Sequence, residues 1–432
     1  MLSVTEAAER ITAAVSALPV VTVALRDSLG QVLAQDVRSP VTLPHWTNSA
    51  MDGYAVRADD VRGAREDWPI ELPVIETVAA GAFPTRPLHA GQATRIMTGA
   101  PLPEGADTVV RVEDTDGGLS RVRIVKDRDA GKNIRLRGED LHEGEVALPR
   151  GTPIGAAQVG LLASIGAAMV SVHRRPRVAI LGSGDELVDI DRFDEVLAGR
   201  KIVSSNSYTL EALVKDCGGE PLVLGHAADT LKAMRDLLGR AVDAVPDLII
   251  SSAGVSVGEF DYTRAALEEM GGGAASAAKG SDGSATALDF WKVRMRPGAP
   301  LGFGHLSGIP WLGLPGNPVS AMVTFELFAR PALRKMLGHA RLHRRPVEVV
   351  LEEPVSIGAK LTHFYRAIVS TRADGTLVAR LTGPQGSGIL TSMSLANALV
   401  VVPEDRSRVE AGERLHAFLL TADVGQTESF VL

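Results

Sequence analysis

Asp185 and Glu186 stand side by side in GSGDEL (182–187), just after an apolar, strand-like run at 178–181, so two carboxylates meet at the end of a strand. Asp261 repeats the arrangement in SSAGVSVGEFDY (251–262), where Gly254 and Gly258 leave room for backbone amides to approach a phosphate. Carboxylates beside a phosphate-type loop repel the ligand unless a cation bridges them, so the combination calls for bound Mg²⁺. Asp261 also reads as the N-cap of a helix over 262–270, a role compatible with metal binding. Lys292, Arg294 and Arg296 alternate in FWKVRMRPGAP (290–300), which puts three cations on one face if the segment is a strand. That face is either an oxyanion receptor or a charged edge that discourages aggregation. GLPGNPVS (313–320) turns into a helix opened by Asn317 and Pro318, and either holds a phosphate on free amides or is a close-packed turn. NSAMDGYAV (48–56) displays one carboxylate, Asp52, on a shaped loop, or is a β-turn leading into a strand.

These segments need elements to hold them. Residues 4–18 carry Ile11, Val15 and Leu18 on one helical stripe, with Ser3 and Glu6 spaced as a capping box, and a strand-like run follows at 20–24. Residues 46–138 hold short β-like runs, such as 108–112 and 120–125, punctuated by Gly and Pro, which predicts an inserted β domain. A helix and strand within 151–172 then pair back with the N-terminal segment. From 176 onward strand-like 178–181, 221–224 and 247–251 alternate with helix-like 206–217 and 229–242, the signature of a parallel α/β sheet. The polar segments fall just after its strands, at the carboxyl edge where such sheets bind ligands. Strand-like 347–351, 366–370 and 398–402 close the chain.

The fold class is therefore multidomain α/β and β. Residues 1–45 and 139–172 form an elongated N-terminal domain, 46–138 an inserted β domain, 173–338 a central α/β domain with a mostly parallel sheet, and 339–432 a small C-terminal β domain. The Gly/Ala/Ser stretch at 271–287 reads as a flexible surface insertion.

In this order, NSAMDGYAV, RIMTGAP (95–101), GSGDEL, SSAGVSVGEFDY and GLPGNPVS resemble the MoeA family, the molybdopterin molybdenumtransferases related to the E domain of gephyrin. The resemblance runs over nearly the whole chain. It implies an enzyme that takes adenylylated molybdopterin and molybdate and returns molybdenum cofactor and AMP with Mg²⁺. It also implies functional roles for Asp52, Thr98, Glu186, Asp229 and Asp261, and assigns the Mg²⁺ to Glu186 and Asp261. Ser183, Gly184, Asp185, Gly254, Ser256, Gly258, Pro315, Gly316 and Asn317 match substrate-binding positions. Lys292, Arg296, Arg366 of HFYR (363–366) and Ser387 of GPQGS (383–387) match a molybdate pocket. The family's homodimer would bring the acids of the N-terminal half to the α/β domain of a partner copy, and other molybdenum cofactor biosynthesis proteins are possible partners. Two other activities fit the same α/β domain, a molybdopterin adenylyltransferase and a noncatalytic pterin-binding scaffold. The chain departs from the family at Gly182, Thr230, Ala253, Arg296 and Ala299, where members commonly carry Thr, a second acid, Gly, Lys and, in some, a further Lys.

Composition narrows the field. A chain of 432 residues is too long for one core, and 45 basic against 52 acidic residues leave a net charge of −7 with no cationic run to track a nucleic-acid backbone. Cys217 is the single cysteine, in a helical pattern with Leu210, Leu213 and Val214, so no internal disulfide forms and the thiol reads as a small buried hydrophobe. The ten histidines show no zinc-type spacing. The capped N-terminal helix is unlike a signal peptide and no apolar run nears the ~20 residues of a membrane span, so a cytoplasmic protein is expected.

Overall fold

The computed structural model describes residues 1–253, 262–270 and 288–421. The 271–287 insertion lies outside them, as do Gly254, Ser256, Gly258 and Asp261.

The strand Val20–Ala24 pairs antiparallel with Met169–His173, and the helix Ala156–Ser164 packs beside them over a core of Leu33, Ile154, Leu162 and Val172. Between these two passes the chain builds a five-stranded sheet, in the order Thr108–Arg111, Gly53–Val56, Ala93–Ile96, Ile70–Val78, Arg121–Ile124. Tyr54, Val110, Val122 and Ile124 fill its core. Gly53 opens the strand that follows Asp52 because a Cβ there would lie 2.0 Å from the Val110 carbonyl oxygen, so only glycine lets the two strands approach.

The first helix, Val4–Ala13, is capped reciprocally by Ser3 and Glu6. Read from sequence as part of the elongated domain, it instead seats Ala7, Ala8 and Ile11 in one core with Val178, Ile180 and Phe328 of the α/β domain. Its apolar stripe needs a helix-covered sheet to bury against, and the two-stranded N-terminal ribbon offers none.

The α/β sheet runs in the order Glu220–Ala227, Arg177–Ser183, Leu248–Ser252, Ile309–Leu314, Pro300–Leu306, Asp289–Lys292. The first four strands are parallel and the last two are joined antiparallel. Ser205–Asp216, Pro318–Thr324 and Arg330–Met336 cover one face, and Leu231–Asp243 and Tyr262–Met270 the other, so the strands between are apolar on both sides. Parallel strands aligned this way end together at Ser183, Ala227, Ser252 and Leu314, which gathers the polar segments at one edge.

The C-terminal domain is a barrel. Thr362–Thr371, Leu377–Leu381, Val347–Leu351, Arg414–Leu419 and Ala398–Val402 pair in succession, and the first strand also pairs with the last. The cationic segment does not form one strand. Asp289–Lys292 edges the α/β sheet, Val293 bridges to Leu2, and Met295–Arg296 joins the barrel beside Thr362 and His363. It ties two domains together, and its buried residues Val293 and Met295 still alternate with the cations.

Candidate active site

A cleft of about 690 Å³ opens at the carboxyl edge of the α/β sheet, with Ser183, Glu186, Ala253, Pro315, Gly316 and Asn317 among its walls. Asp185 and Asp229 sit on the two neighbouring turns and lock them together. The Asp229 amide donates to Asp185 Oδ1 at 3.0 Å and the Asp185 amide to Asp229 Oδ2 at 3.2 Å. Gly184, φ 146°, is the hinge of this turn, and a Cβ there would meet the Glu186 carboxylate at 2.6 Å. Thr230, standing where the family has a second acid, caps the next helix by accepting the Ala233 amide.

Ala253 lies at the end of its strand with φ 78°, a left-handed conformation that L side chains resist and glycine does not. Its methyl comes within 3.3 Å of where a Cβ on Gly316 would stand, so the two loops are pressed together across the cleft. Asn206 braces them further, its amide nitrogen donating to Ser252 Oγ at 2.7 Å and to the Gly316 carbonyl at 2.8 Å.

Ser204, Ser205 and Asn206 were not among the residues expected from sequence, yet they line the same cleft at the start of the 12-residue helix Ser205–Asp216. No side chain caps that helix, and the Ser207 amide donates to the Ser204 carbonyl at 3.1 Å, so the opening amides lack a side-chain acceptor. The Ser-Ser-Asn run ahead of a helical stripe was the legible signal.

A second pocket, about 280 Å³, lies against the barrel and is lined by Arg296, His363, Tyr365, Arg366, Gln385 and Gly386, among others. Arg366 is 1% exposed and has no carboxylate partner among the described residues. Its Nε donates to Ser392 Oγ at 3.1 Å and its Nη2 to the Gly386 carbonyl at 3.0 Å, which leaves part of the guanidinium fork uncommitted. Burial pulls its pKa below the ordinary arginine value. His363 and Tyr365 stack at 5.6 Å, and burial lowers the histidine's pKa and raises the phenol's. A buried cation without a counter-charge is costly unless an anion arrives to pair with it.

The two pockets have no lining residue in common, but neighbouring residues of the same two segments line them. Pro297 lines one and Pro300 the other, while Gly386 and Gly388 do the same from the barrel loop. Ser387 sits between those glycines and its carbonyl accepts the Val319 amide at 3.1 Å. The remaining cations are placed elsewhere. Arg294 is paired with Glu404 at 3.0 Å, and Lys292 is an exposed residue of the sheet edge that lines neither pocket.

Asp52 and Thr98 come together in the inserted β unit and line neither pocket. The Thr98 amide and hydroxyl each donate to Asp52 Oδ1 at 2.7 Å. The amide bond first, then the hydroxyl bond, hold the carboxyl below its usual pKa and keep it ionised. Neither pocket is lined by any residue of 46–138.

Among the described residues no group of three or more His, Cys, Asp or Glu is arranged to hold a metal ion. Mg²⁺ does not need such a cage, since one or two carboxylates plus phosphate oxygens suffice. Glu186 on the cleft wall supplies a hard oxygen ligand of that kind, so the donors present fit the ion. Among the described residues no helix is long and apolar enough to cross a membrane. Cys217 is largely buried and its pKa is pushed up to about 12 by burial, an inert thiol.

Three family models match the chain in succession: the MoeA N-terminal region (domain I and II) over residues 2–166, a probable molybdopterin binding domain over 179–335, and the MoeA C-terminal region (domain IV) over 348–420. A Mycobacterium tuberculosis protein named molybdopterin molybdenumtransferase 2 is 40% identical over 402 residues, 93% of this chain and 95% of its own. A Nostoc molybdopterin molybdenumtransferase is 38% identical, over 89% of this chain and 85% of its own. The crystal structure of the molybdopterin biosynthesis MoeA protein of Pyrococcus horikoshii superposes with a TM-score of 0.80 at 28% identity, covering 97% of this chain and all of that one.

Proposed function

Because the chain belongs to the MoeA family, we propose that it is a molybdenum insertase, transferring molybdenum from molybdate into adenylylated molybdopterin and releasing molybdenum cofactor and AMP. The observation that carries this reading is Arg366, a buried guanidinium with no carboxylate partner among the described residues, in a pocket lined by the same two segments that reach the carboxyl-edge cleft. A tetrahedral oxyanion in the Arg366 pocket and a phosphorylated ligand in the carboxyl-edge cleft would lie near one another.

In this account Arg366 and Arg296 hold molybdate by charge-assisted hydrogen bonds, with Ser387 on the loop between the pockets, and Lys292, which lines neither pocket, enters only by the family match. The arginine in place of the family's lysine at 296 offers a planar fork instead of a point charge. Ser183, Gly184, Pro315, Gly316 and Asn317, with the amides that open Ser205–Asp216, receive the phosphates and nucleotide. Gly254, Ser256 and Gly258 complete that loop by the family match. Asp185 and Asp229 fix the turns through their reciprocal bonds. Glu186 and Asp261 would hold Mg²⁺, which when bound offsets charge on the phosphoanhydride. The sulfurs that take the molybdenum belong to the substrate.

Asp52 and Thr98 reach the ligand from a second copy of the chain, which makes the working unit a homodimer. The support is that each is well organised yet lines neither pocket on its own chain. The test is AMP release from adenylylated molybdopterin, measured against molybdate concentration. Release that rises with molybdate and saturates supports insertion. AMP release indifferent to molybdate contradicts it, and formation of adenylylated pterin from molybdopterin and ATP would point to the preceding reaction.

A further inference from the structure

Trp46 and Phe83 are large aromatic side chains left exposed on the inserted β unit, at 37% and 59%, and they meet edge to face with centroids 5.0 Å apart. Two rings in contact at the surface forgo the burial that either would gain in a core. Trp46 is nevertheless held in place. Its indole N–H donates to the Gly99 carbonyl at 3.4 Å, and the Asn48 side-chain amide donates to the Trp46 carbonyl at 3.2 Å.

Gly99 is the residue after Thr98, so Trp46 and the Asp52 carboxylate are held by the same turn, while Phe83 comes from the connection between Ile70–Val78 and Ala93–Ile96. Both Thr98 bonds fall on Asp52 Oδ1. Among the described residues nothing donates to Oδ2, so an ionised oxygen remains available one residue along the turn from the Trp46 anchor.

We infer that Trp46, buttressed by Phe83, is the stacking platform for the pterin ring of the substrate, and that Asp52 Oδ2 accepts hydrogen bonds from that ring's amino edge. The inference rests on the insertase reading and deepens it by deciding which ring the inserted unit takes. Stacking alone does not choose, because every heteroaromatic ring has a π-face. The carboxylate chooses. A pterin carries an exocyclic amine next to a ring N–H, two donors in a row, whereas adenine's amine is flanked by acceptor nitrogens that repel an anion. The pterin end therefore goes to the Trp46 side and the adenylate end to the α/β cleft.

The test measures 6-hydroxymethylpterin and AMP binding separately, by calorimetry, to the full chain and to Trp46→Leu, Trp46→Phe and Asp52→Asn. Trp46→Leu and Asp52→Asn each weaken the pterin about tenfold, Trp46→Phe restores most of it, and AMP binding stays within twofold throughout. With adenylylated molybdopterin as substrate, Trp46→Leu raises KM more than it lowers kcat. Undiminished pterin binding by Trp46→Leu, equal losses for pterin and AMP, or no pterin binding by the unaltered chain would overturn the inference. Molybdate-dependent AMP release by the unaltered chain reads the insertase assignment independently, so either can fail while the other stands.

Discussion

Arg366→Met separates a binding cation from a structural one. A cation kept for stability sits in an ion pair, and removing it leaves a buried carboxylate unpaired at a cost of about 3–5 kcal/mol. Arg366 has no such partner, so the accounting runs the other way. Ser392 Oγ and the Gly386 carbonyl each lose one donor, worth about 1 kcal/mol apiece. Against that, a fully buried charge whose desolvation costs several kcal/mol is replaced by an apolar chain of similar length. The variant should melt at or above the temperature of the unaltered protein. Molybdate binding should fall by roughly 10- to 150-fold, the loss of one charge-assisted contact of about 1.5–3 kcal/mol. Calorimetric titration with sodium molybdate and a thermal scan of the same samples read both quantities. Equal molybdate affinity, or a fall in melting temperature on the scale of a broken ion pair, would refute the reasoning.

Three further outcomes follow from the geometry. Ala253→Gly relieves a left-handed conformation and should stabilise the chain by about 1 kcal/mol, seen as a higher denaturant midpoint, despite losing the methyl contact near Gly316. Asp52 titrates below the ordinary carboxylate value of 3.8, so whatever its ionised form contributes is present above that value and lost as pH falls through the lowered one. Thr98→Val removes the hydroxyl bond and keeps the amide bond, and should move the Asp52 titration part of the way back up when followed by NMR. Sedimentation under assay conditions should find the active species to be a dimer, and a catalytically competent monomer would contradict the placement of Asp52 and Thr98 in a partner's cleft.

Much of the architecture was legible because each polar segment follows an apolar run of strand length. The strands ending at Ser183 and Ser252 stand where the periodicity put them, within two residues, whereas Ile309–Leu314, which precedes the GLPGNPVS turn, was not read as a strand. What escaped was anything fixed by a distant partner. Lys292, Arg294 and Arg296 alternate correctly, but whether they share one sheet depends on Leu2 capturing Val293 and on Thr362 and His363 capturing Met295 and Arg296. Likewise Glu404, 110 residues on, takes Arg294 out of the site. Arg366 lacks a carboxylate partner among the described residues, which no local pattern can express. The first helix announced its apolar stripe and not the core that would accept it. Ala253 could be noted as a departure from glycine, yet its positive φ is a property of the turn.

The central claim is that the oxyanion pocket and the phosphate cleft are separate ligand sites on neighbouring walls, and one rescue experiment addresses it. AMP release is followed across molybdate concentration for Arg296→Ala, Glu186→Gln and Asp261→Asn. The account predicts that raising molybdate restores much of the Arg296→Ala rate by mass action. The two carboxylate variants should stay down by about 10²-fold at every concentration, because the loss is one of metal and phosphate positioning. All three responding alike to molybdate, or a carboxylate variant keeping full activity with undiminished Mg²⁺ dependence, would contradict it.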